Sequence, residues 1–380
     1  MSQLVRGARV VTQGGVLDDG WVEVHADRIV RLGRGRPPSA DDELTGGSVV
    51  VPGFVDLHVH GGGGASFDAG NSRDAEDVVR FHRAHGTTTT MGSLVTASRL
   101  QLVERVSALA PLVHAGALAG LHLEGPWLSS AHAGAHDPSL LRAPEADELQ
   151  AVLAAGGGAV RIVTLAPELP GAVHAVRAAV AAGAVVAVGH TDASYEVTRN
   201  AIAEGARLGT HLFNAMRPLR HREPGPVAAL LEDPRVTVEL IADGVHIHPA
   251  VLRMVISQVG PSRVALVTDA MAAAGTSDGT FRLGSMEVDV RDGVARLSGQ
   301  DVIAGSTLTM DAAFRFAVVA CDVSLADAAT MTSCTPARVL GRADVGDIEV
   351  GRRADLVVLD DDLAVKAVMV AGRWVPDVLS

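Results

Sequence analysis

Residues 49–60 read VVVPGFVDLHVH, an apolar run that ends in the polar side chains of Asp56, His58 and His60. A nearly continuous run of β-branched and aromatic residues is typical of a strand buried on both faces, as in a parallel sheet. Because side chains alternate along a strand, the two imidazoles project to the same side. The run therefore predicts a buried strand with a pair of histidines at its carboxyl end.

Seven further runs of similar composition follow, at residues 87–94, 117–123, 160–165, 185–189, 208–213, 236–242 and 264–268. Alanine-rich segments with helical spacing lie between them, among them residues 72–85, 145–155, 171–182 and 195–205. Eight strand–helix repeats predict an α/β fold, a (β/α)8 TIM-type barrel. A doubly wound open sheet is the alternative, but such sheets usually have fewer strands and often a phosphate-binding glycine fingerprint, which is not found here.

Both chain ends are rich in short β-type pieces separated by Gly and Asp turns. They lie at residues 4–11, 21–24 and 28–32, and again at 354–359, 365–370 and 372–375. We therefore expect a small β-sandwich formed from both chain ends, with residues 1–51 and 341–380 as its two parts. Residues 52–340 would then form the barrel.

Composition excludes several classes of protein. Hydrophobic residues make up 48% of the 380 and charged residues 20%, so a large core can form and disorder is excluded. The N-terminus lacks the apolar core of a signal peptide, no run is long enough to cross a membrane, and two cysteines cannot form a disulfide framework. These features predict a cytoplasmic protein with no membrane partner.

The net charge of the chain limits the kinds of partner and substrate that it can bind. The net charge of −12 argues against a nucleic-acid partner, and an anionic substrate must be held by a few local cations. The only lysine is Lys366, so Gly61-Gly62-Gly63-Gly64 cannot be a lysine-containing phosphate loop, and we expect a flexible loop instead.

Polar side chains cluster where the predicted strands end, which is the face on which barrel enzymes carry out their chemistry. They are His58, His60, His122, Glu124, His190, His211, Asn214, Asp243, His246 and Asp269. A single histidine beside an apolar run is more often a buried, hydrogen-bonded side chain than a ligand. Several imidazoles and a carboxylate on neighbouring strands, however, predict a metal site.

Nitrogen and oxygen donors suit zinc or another divalent transition metal. Glu124 would bridge two ions if two are present. Asp269, at the end of the eighth run, would take a proton from an attacking water and is counted among the metal-ligating candidates as well. The alternative role for Asp269 is to cap the following helix.

Motifs along almost the whole chain resemble those of the amidohydrolase superfamily and, more closely, of the N-acetylglucosamine-6-phosphate deacetylase family. They are PGFVDLHVHG at 52–61, HLEGPW at 122–127, VGHTDA at 188–193, THLFNAM at 210–216, REPG at 222–225, ADGVH at 242–246, VTDAM at 267–271 and AGS at 304–306. The resemblance implies the same barrel and β-sandwich. It also implies metal-dependent hydrolysis of N-acetyl-D-glucosamine 6-phosphate to D-glucosamine 6-phosphate and acetate, in amino-sugar catabolism and cell-wall sugar recycling.

The resemblance also implies roles for individual residues. Glu124, His190 and His211 match the principal metal ligands, Asp269 the proton donor and acceptor, and His136, next to Ala135, a histidine that orients the acetamide. The implied substrate contacts are Ala135, His136, Asn214, Ala215, Arg222, His246, Ile303, Ala304 and Gly305.

The family that the sequence resembles also gives expectations for the number of metal ions and for assembly. Some members lack the His-x-His pair and use one metal, whereas His58 and His60 are present here, so we expect one or two divalent ions per subunit. Zinc is the first expectation, with iron, cobalt, manganese and cadmium as alternatives. A homodimer is also implied, in which His246 reaches into the neighbouring subunit's site.

Two other classes remain as alternatives. One is another hydrolase of the superfamily, either a deacylase or a cyclic-amide hydrolase such as a dihydroorotase or hydantoinase. Cyclic-amide hydrolases often bridge two metals with a carbamylated lysine after strand four; residues 52–340 contain no lysine, which counts against them but not against every deacylase. A non-catalytic barrel that keeps a metal as a structural support is the other, although structural zinc sites are usually closed and rich in cysteine.

Overall fold

The apolar runs form two separate sheets. The computed structural model describes residues 2–37 and 42–376. Its strands are β1 (Ser2–Thr12), β2 (Gly15–His25), β3 (Arg28–Arg34), β4 (Asp42–Pro52), β5 (Phe54–Asp56), β6 (Gly61–Gly62), β7 (Ala65–Ser66), β8 (Thr87–Val95), β9 (Gly120–Glu124), β10 (Val160–Leu165), β11 (Val185–Val188), β12 (Ala206–Gly209), β13 (Thr237–Ile241), β14 (Val264–Val267), β15 (Gly279–Leu283), β16 (Met286–Arg291), β17 (Val294–Leu297), β18 (Leu356–Leu359), β19 (Val365–Val370) and β20 (Arg373–Trp374).

The helices follow the strands of the central part of the chain. They are α1 (Ser72–Ala84), α2 (Arg99–His114), α3 (Ala146–Gly156), α4 (Ala172–Ala181), α5 (Tyr195–Glu204), α6 (Gly225–Glu232), α7 (Pro249–Val259), α8 (Met310–Val319), α9 (Leu325–Ala329) and α10 (Thr335–Val339). The four predicted helical segments correspond to α1, α3, α4 and α5. No helix in the described part of the chain has the length and apolar character needed to cross a membrane.

The barrel is an eight-stranded parallel sheet in the order β14-β13-β12-β11-β10-β9-β8-β5. Its first and last strands meet, because the Asp269 N–H donates to the His58 carbonyl at 2.8 Å and the His60 N–H donates to the Ala270 carbonyl at 2.8 Å. Every residue of β8, β9, β13 and β14 is buried, as the near-continuous apolar runs indicate. The predicted (β/α)8 barrel is confirmed.

The first predicted run is wrong in one respect, because residues 49–60 are not a single strand. β4 ends at Pro52 in the terminal sheet, and β5 starts at Phe54 in the barrel. Proline cannot donate to a sheet ladder and glycine permits a change of direction, so the pair Pro52-Gly53 separates the two strands. The predicted domain boundaries, at 1–51, 52–340 and 341–380, remain a prediction.

The sheet from the chain ends has the order β20-β19-β18-β4-β1-β2-β3. It curls, because the edge strand β3 bonds to the segment ahead of β18, with the Ile29 N–H donating to the Arg352 carbonyl at 3.0 Å. Its core draws on both ends of the chain: Val5, Val10, Val22, Val24, Ile29, Val50, Ile348, Ala354, Leu356, Val358, Ala367 and Met369. The small β unit from both termini therefore takes the form of one curled sheet.

A three-stranded antiparallel sheet, β15-β16-β17, is not among the predicted elements. It packs over the barrel mouth through a core that includes Met271, Leu283, Val288 and Leu297. The alternation in residues 286–291 (MEVDVR) is the sequence signal that could have revealed it, since one face of β16 is buried and the other exposed. This insertion supplies residues to one wall of the site.

The four glycines at 61–64 form a fixed hairpin rather than the flexible loop we expected. β6 pairs with β7, and the Gly63 and Gly64 N–H groups donate to the carbonyls of Ala274 and Ala272, each at 2.8 Å. A Cβ on Gly62 would lie 2.5 Å from the Phe81 ring, so the backbone approaches α1 too closely for a side chain. The hairpin thereby fixes the chain directly after His60.

The contact between Phe54 and Phe314 joins β5 to α8 with ring centroids 5.6 Å apart, and both side chains are fully buried. Phe54→Ala should lower the free energy of unfolding by about 3–5 kcal/mol, because it leaves a cavity that the barrel cannot fill. Urea unfolding of this variant and of Leu100→Ala, whose side chain is 68% exposed, measures the difference. Equal midpoints in the two variants would contradict the packing described here.

Candidate active site

Glu124, the last residue of β9, lies at the centre of a cluster of imidazoles at the carboxyl ends of the barrel strands. Its Oε1 lies 3.1 Å from His190 Nε2 and 2.9 Å from His211 Nε2. Its Oε2 lies 3.0 Å from His60 Nε2 and 3.5 Å from His58 Nε2. One carboxylate therefore contacts imidazoles from both sides of the barrel.

Asp269 follows β14 and completes one side of the cluster. Its Oδ1 lies 3.4 Å from His58 Nε2 and 3.3 Å from His60 Nε2, and these two Nε2 atoms lie only 3.1 Å apart. Two unprotonated ring nitrogens at that distance repel each other unless a proton or a cation lies between them. The donor atoms of His58, His60 and Asp269, and those of His58, Glu124 and His211, converge closely enough to hold an ion.

Several side chains of the cluster start from a strained backbone. His190, His211 and Asp269 all have positive φ angles, of 47°, 25° and 50°. Non-glycine residues seldom adopt this left-handed region, which costs about 1–3 kcal/mol for each residue and is concentrated at functional sites. The barrel therefore holds these side chains in orientations that an unconstrained chain would avoid.

Burial and neighbouring charges both shift the pKa values of the side chains in the cluster. Although burial favours the neutral form, the hydrogen bonds to Asp269 and Glu124 raise the pKa of His60 to about 9. Burial likewise opposes ionisation of Glu124, yet the surrounding imidazoles, His58 first, lower the pKa of its carboxyl well below its usual range. Burial and the nearby His136 lower the pKa of His190 to about 4. The carboxylates thus favour positive charge at His60, and an anionic Glu124 beside a neutral His190 offers donors that suit a divalent cation.

The outer ring nitrogens of two imidazoles have partners that orient them. His190 Nδ1 lies 2.9 Å from the His132 carbonyl, and His58 Nδ1 lies 3.2 Å from Glu239 Oε2. Such partners fix the tautomer that turns the other nitrogen toward a metal. Glu239 was not a candidate from the sequence, although a lone carboxylate inside the apolar run 236–242 is a signal that could have identified it.

His122, in contrast, fits the structural role of a hydrogen-bonded core histidine. Its Nδ1 lies 3.0 Å from Ser93 Oγ and its Nε2 lies 2.8 Å from Thr164 Oγ1, so both nitrogens have partners within the barrel. Burial lowers its pKa well below the usual range. His122 therefore packs beneath the cluster, with its ring centroid 4.5 Å from that of His58.

A cavity of about 420 Å³ opens over the cluster. Eleven of the candidate residues line it: Glu124, Ala135, His136, His190, His211, Asn214, Ala215, His246, Asp269, Ile303 and Gly305. The sequence did not single out seven others on its wall: Ala131, His132, Ala133, Gly134, Leu283, Asp301 and Val302. Of the remaining candidates, His58, His60 and Ala304 are buried and do not line the cavity, and Arg222 is exposed and does not line it either.

The side chain of His246 lies on the cavity wall of its own chain, and its predicted reach into a neighbouring subunit stays a prediction. Its side chain is only 6% exposed, and its Nδ1 lies 2.6 Å from Asp243 Oδ2. It lines the same cavity as Asp269 of its own chain. Asp243 holds the His246 ring within this wall, whereas Arg222 is a candidate that does not line the cavity.

Comparison with known proteins agrees with the barrel and its histidine–carboxylate cluster. Residues 49–375 match the model of the Amidohydrolase family. The chain therefore belongs to this family.

Relatives narrow the comparison to enzymes that act on N-acetylated sugar phosphates. The N-acetylglucosamine-6-phosphate deacetylase of Bos taurus is 38% identical over 345 residues, 87% of this chain and 84% of the relative. The N-acetylgalactosamine-6-phosphate deacetylase of Escherichia coli O157:H7 is 36% identical over 379 residues, 98% of this chain and 99% of the relative. Among solved structures, an N-acetyl-D-glucosamine-6-phosphate deacetylase from Mycobacterium smegmatis is 52% identical and covers 98% of this chain and 99% of its own, with a TM-score of 0.96. That structure is an aspartate-to-alanine variant in complex with N-acetyl-D-glucosamine-6-phosphate.

Proposed function

We propose that this chain is a metal-dependent deacetylase that converts N-acetyl-D-glucosamine 6-phosphate to D-glucosamine 6-phosphate and acetate. The observation that carries the proposal is the contact of Glu124 with four imidazoles, beside Asp269, on the wall of a cavity large enough for a sugar phosphate. Relatives that match nearly the whole chain act on this class of substrate by name.

Zinc is the proposed metal, because imidazole and carboxylate donors without thiolate suit it; iron, cobalt, manganese and cadmium are alternatives. Glu124, His190 and His211 would hold one ion, and His58 and His60, with Glu124 or Asp269, a second. A divalent cation held there would act as a Lewis acid on an amide carbonyl and would make water acidic enough to lose a proton near neutral pH.

Asp269 is the proposed general base and acid. The neighbouring imidazoles lower the pKa of its carboxyl despite burial, so the carboxylate is ready to accept a proton from the attacking water. Asp269 then returns that proton to the sugar nitrogen, because an amine leaves poorly as an anion.

His136 is the proposed group that orients the acetamide. Its Nδ1 accepts a hydrogen bond from the Thr96 N–H at 3.3 Å, so in the neutral ring the proton is on Nε2. That nitrogen faces the cluster, 3.4 Å from Glu124 Oε2. A substrate in the cavity would receive this N–H at its acetamide oxygen, where negative charge develops.

The phosphate needs cations that the described cavity wall supplies only in part. None of the lining residues is arginine or lysine, and His132 and His246 are the histidines on the wall outside the Glu124 cluster. Arg222 is exposed, and its planar fork suits phosphate oxygens. We therefore place His246 in its own site and assign Arg222 to the site of a neighbouring subunit in a homodimer.

Mixing inactive subunits separates these two assignments. At low substrate concentration, Asp269→Asn mixed with Arg222→Ala should recover about a quarter of the wild-type rate, because half of the randomly formed dimers are mixed and each contains one intact site. Asp269→Asn mixed with His246→Ala is the matched control and should stay inactive. Recovery in the control instead would mean that His246, and not Arg222, crosses the interface.

Cytoplasmic location is part of the same proposal. Cys321 and Cys334 are both free thiols, which agrees with a reducing compartment.

Substrate analysis tests the proposed activity. Acetate and free amine should appear in equal amounts from N-acetyl-D-glucosamine 6-phosphate, and the unphosphorylated sugar should react far more slowly at the same concentration. The 4-epimer, N-acetyl-D-galactosamine 6-phosphate, should be included because one relative acts on it by name. Faster turnover of the epimer would reassign the substrate, and binding without acetate release would point to a non-catalytic barrel.

A further inference from the structure

Glu239 is a fully buried carboxylate that the proposed chemistry does not use. It lies on β13, within the apolar run 236–242, and its side chain is 0% exposed. A buried carboxylate is costly unless hydrogen bonds compensate for the lost hydration. Its contacts therefore show what it does in the barrel.

Both contacts of the Glu239 side chain lead to the metal-binding cluster. Its Oε2 lies 3.2 Å from His58 Nδ1 and accepts a hydrogen bond from the backbone N–H of His211 at 3.2 Å. The backbone carbonyl of Glu239 also accepts the Leu212 N–H at 2.9 Å. Glu239, on β13, thus contacts the segments that follow β5 and β12.

His58 presents its two ring nitrogens to opposite partners. Nε2 faces His60, Glu124 and Asp269, whereas Nδ1 faces Glu239 alone among the described side chains. Because Glu239 Oε2 already accepts the His211 N–H, it accepts from His58 Nδ1 as well, and in the neutral ring the Nε2 lone pair then points into the cluster. His60 differs, because its Nδ1 is buried without a hydrogen-bond partner in the described part of the chain.

We propose that Glu239 is the positioning residue of the second metal site: by accepting the His58 Nδ1 proton, it turns His58 Nε2 toward that ion and so raises the affinity of the His58/His60 position. This inference rests on the proposed function, because it assumes the ion positions assigned there. Partners of this kind typically change metal affinity by about 10–100-fold. Glu239 acts through His58 and touches no substrate.

Substitutions at 239 distinguish the hydrogen bond from mere packing. Glu239→Met keeps much of the volume but removes the acceptor, so it should weaken binding of one zinc equivalent at least tenfold. Glu239→Gln should stay close to wild type, since its carbonyl can accept both bonds and its amide takes the place of Oε1, which has no partner among the described residues. Thr164→Val is the matched control, because it removes barrel hydrogen bonds to His122 and Thr210 without touching the cluster imidazoles.

The readout is a zinc titration of the metal-free proteins, with zinc alone as the probe and thermal unfolding of the same metal-free samples as a check on folding. His58→Ala and the double variant Glu239→Met/His58→Ala complete a cycle. If Glu239 acts through His58, the double variant should bind zinc as His58→Ala alone does. A purely structural role would make the two losses add.

Three results would overturn the inference. They are unchanged zinc affinity in Glu239→Met, a further loss in the double variant, and wild-type zinc binding that His58→Ala does not alter. None of these depends on acetate release. A protein that binds zinc as expected but releases no acetate would instead overturn the proposed function and leave the role of Glu239 intact.

Discussion

Asp269→Asn should lose turnover by about 10²–10⁴-fold, the range expected when a general acid–base is removed. Asparagine keeps the size and one oxygen of the side chain but cannot take a proton from water and return it to the amine. Asp269 is 8% exposed on the cavity wall, and its Oδ1 is within 3.4 Å of His58 and His60. No other carboxylate on the described wall combines exposure to the cavity with this position, since Glu124 is surrounded by imidazoles.

The loss must be separated from loss of metal or fold. In Asp269→Asn, the zinc bound at the Glu124, His190 and His211 position should remain near wild type. The midpoint of thermal unfolding should also remain near wild type. Asp301→Asn is the matched control, because this carboxylate lines the same cavity but pairs with Arg296 outside the cluster. Near-normal turnover in Asp269→Asn would show that the proposed base is wrong.

Glu124→Gln should release the catalytic ion and abolish activity. Its two oxygens serve both halves of the cluster, Oε1 toward His190 and His211 and Oε2 toward His58 and His60. The substitution replaces one anionic oxygen by an amide N–H₂, which cannot bind a cation and would donate toward nitrogens that should hold lone pairs. Metal analysis after dialysis measures the effect directly.

Two comparisons sharpen that measurement. Glu148→Gln changes an equally buried carboxylate, which is paired with Arg142, and should keep its metal. His58→Ala should empty at most one of two positions, because it belongs to one half of the cluster. Unchanged metal content in Glu124→Gln would contradict the central place given to this residue.

The barrel could be predicted because its signal is carried by every strand. Runs such as 160–165 and 264–268 are mostly apolar because parallel strands are largely buried on both faces, and β10 and β14 lie within them. The break at Pro52-Gly53 and the insertion β15–β17 were missed for physical reasons. An apolar run does not show which sheet pairs with it, and the half-exposed strands of the insertion carry a weaker pattern.

The candidate site also contains residues that the sequence could identify and residues that it could not. Glu124, His190, His211 and Asp269 could be selected because polar residues at the ends of barrel strands converge whatever the details of packing. Convergence between segments distant in sequence could not: Glu239 on β13 meets His58 across the intervening strand β14, and Leu283 reaches the cavity from the insertion. The motif around His246 likewise does not show which way the loop after β13 turns, so the subunit whose site His246 completes stays a prediction.

Metal-dependent acetate release tests the central proposal most directly. The protein is freed of metal by chelation, divided, and assayed with N-acetyl-D-glucosamine 6-phosphate before and after addition of zinc, with acetate, free amine and bound zinc measured in each sample. We expect no acetate from the metal-free protein, and one acetate for each amine once zinc is restored. Undiminished acetate release without metal, or zinc and sugar phosphate bound without acetate, would contradict the account.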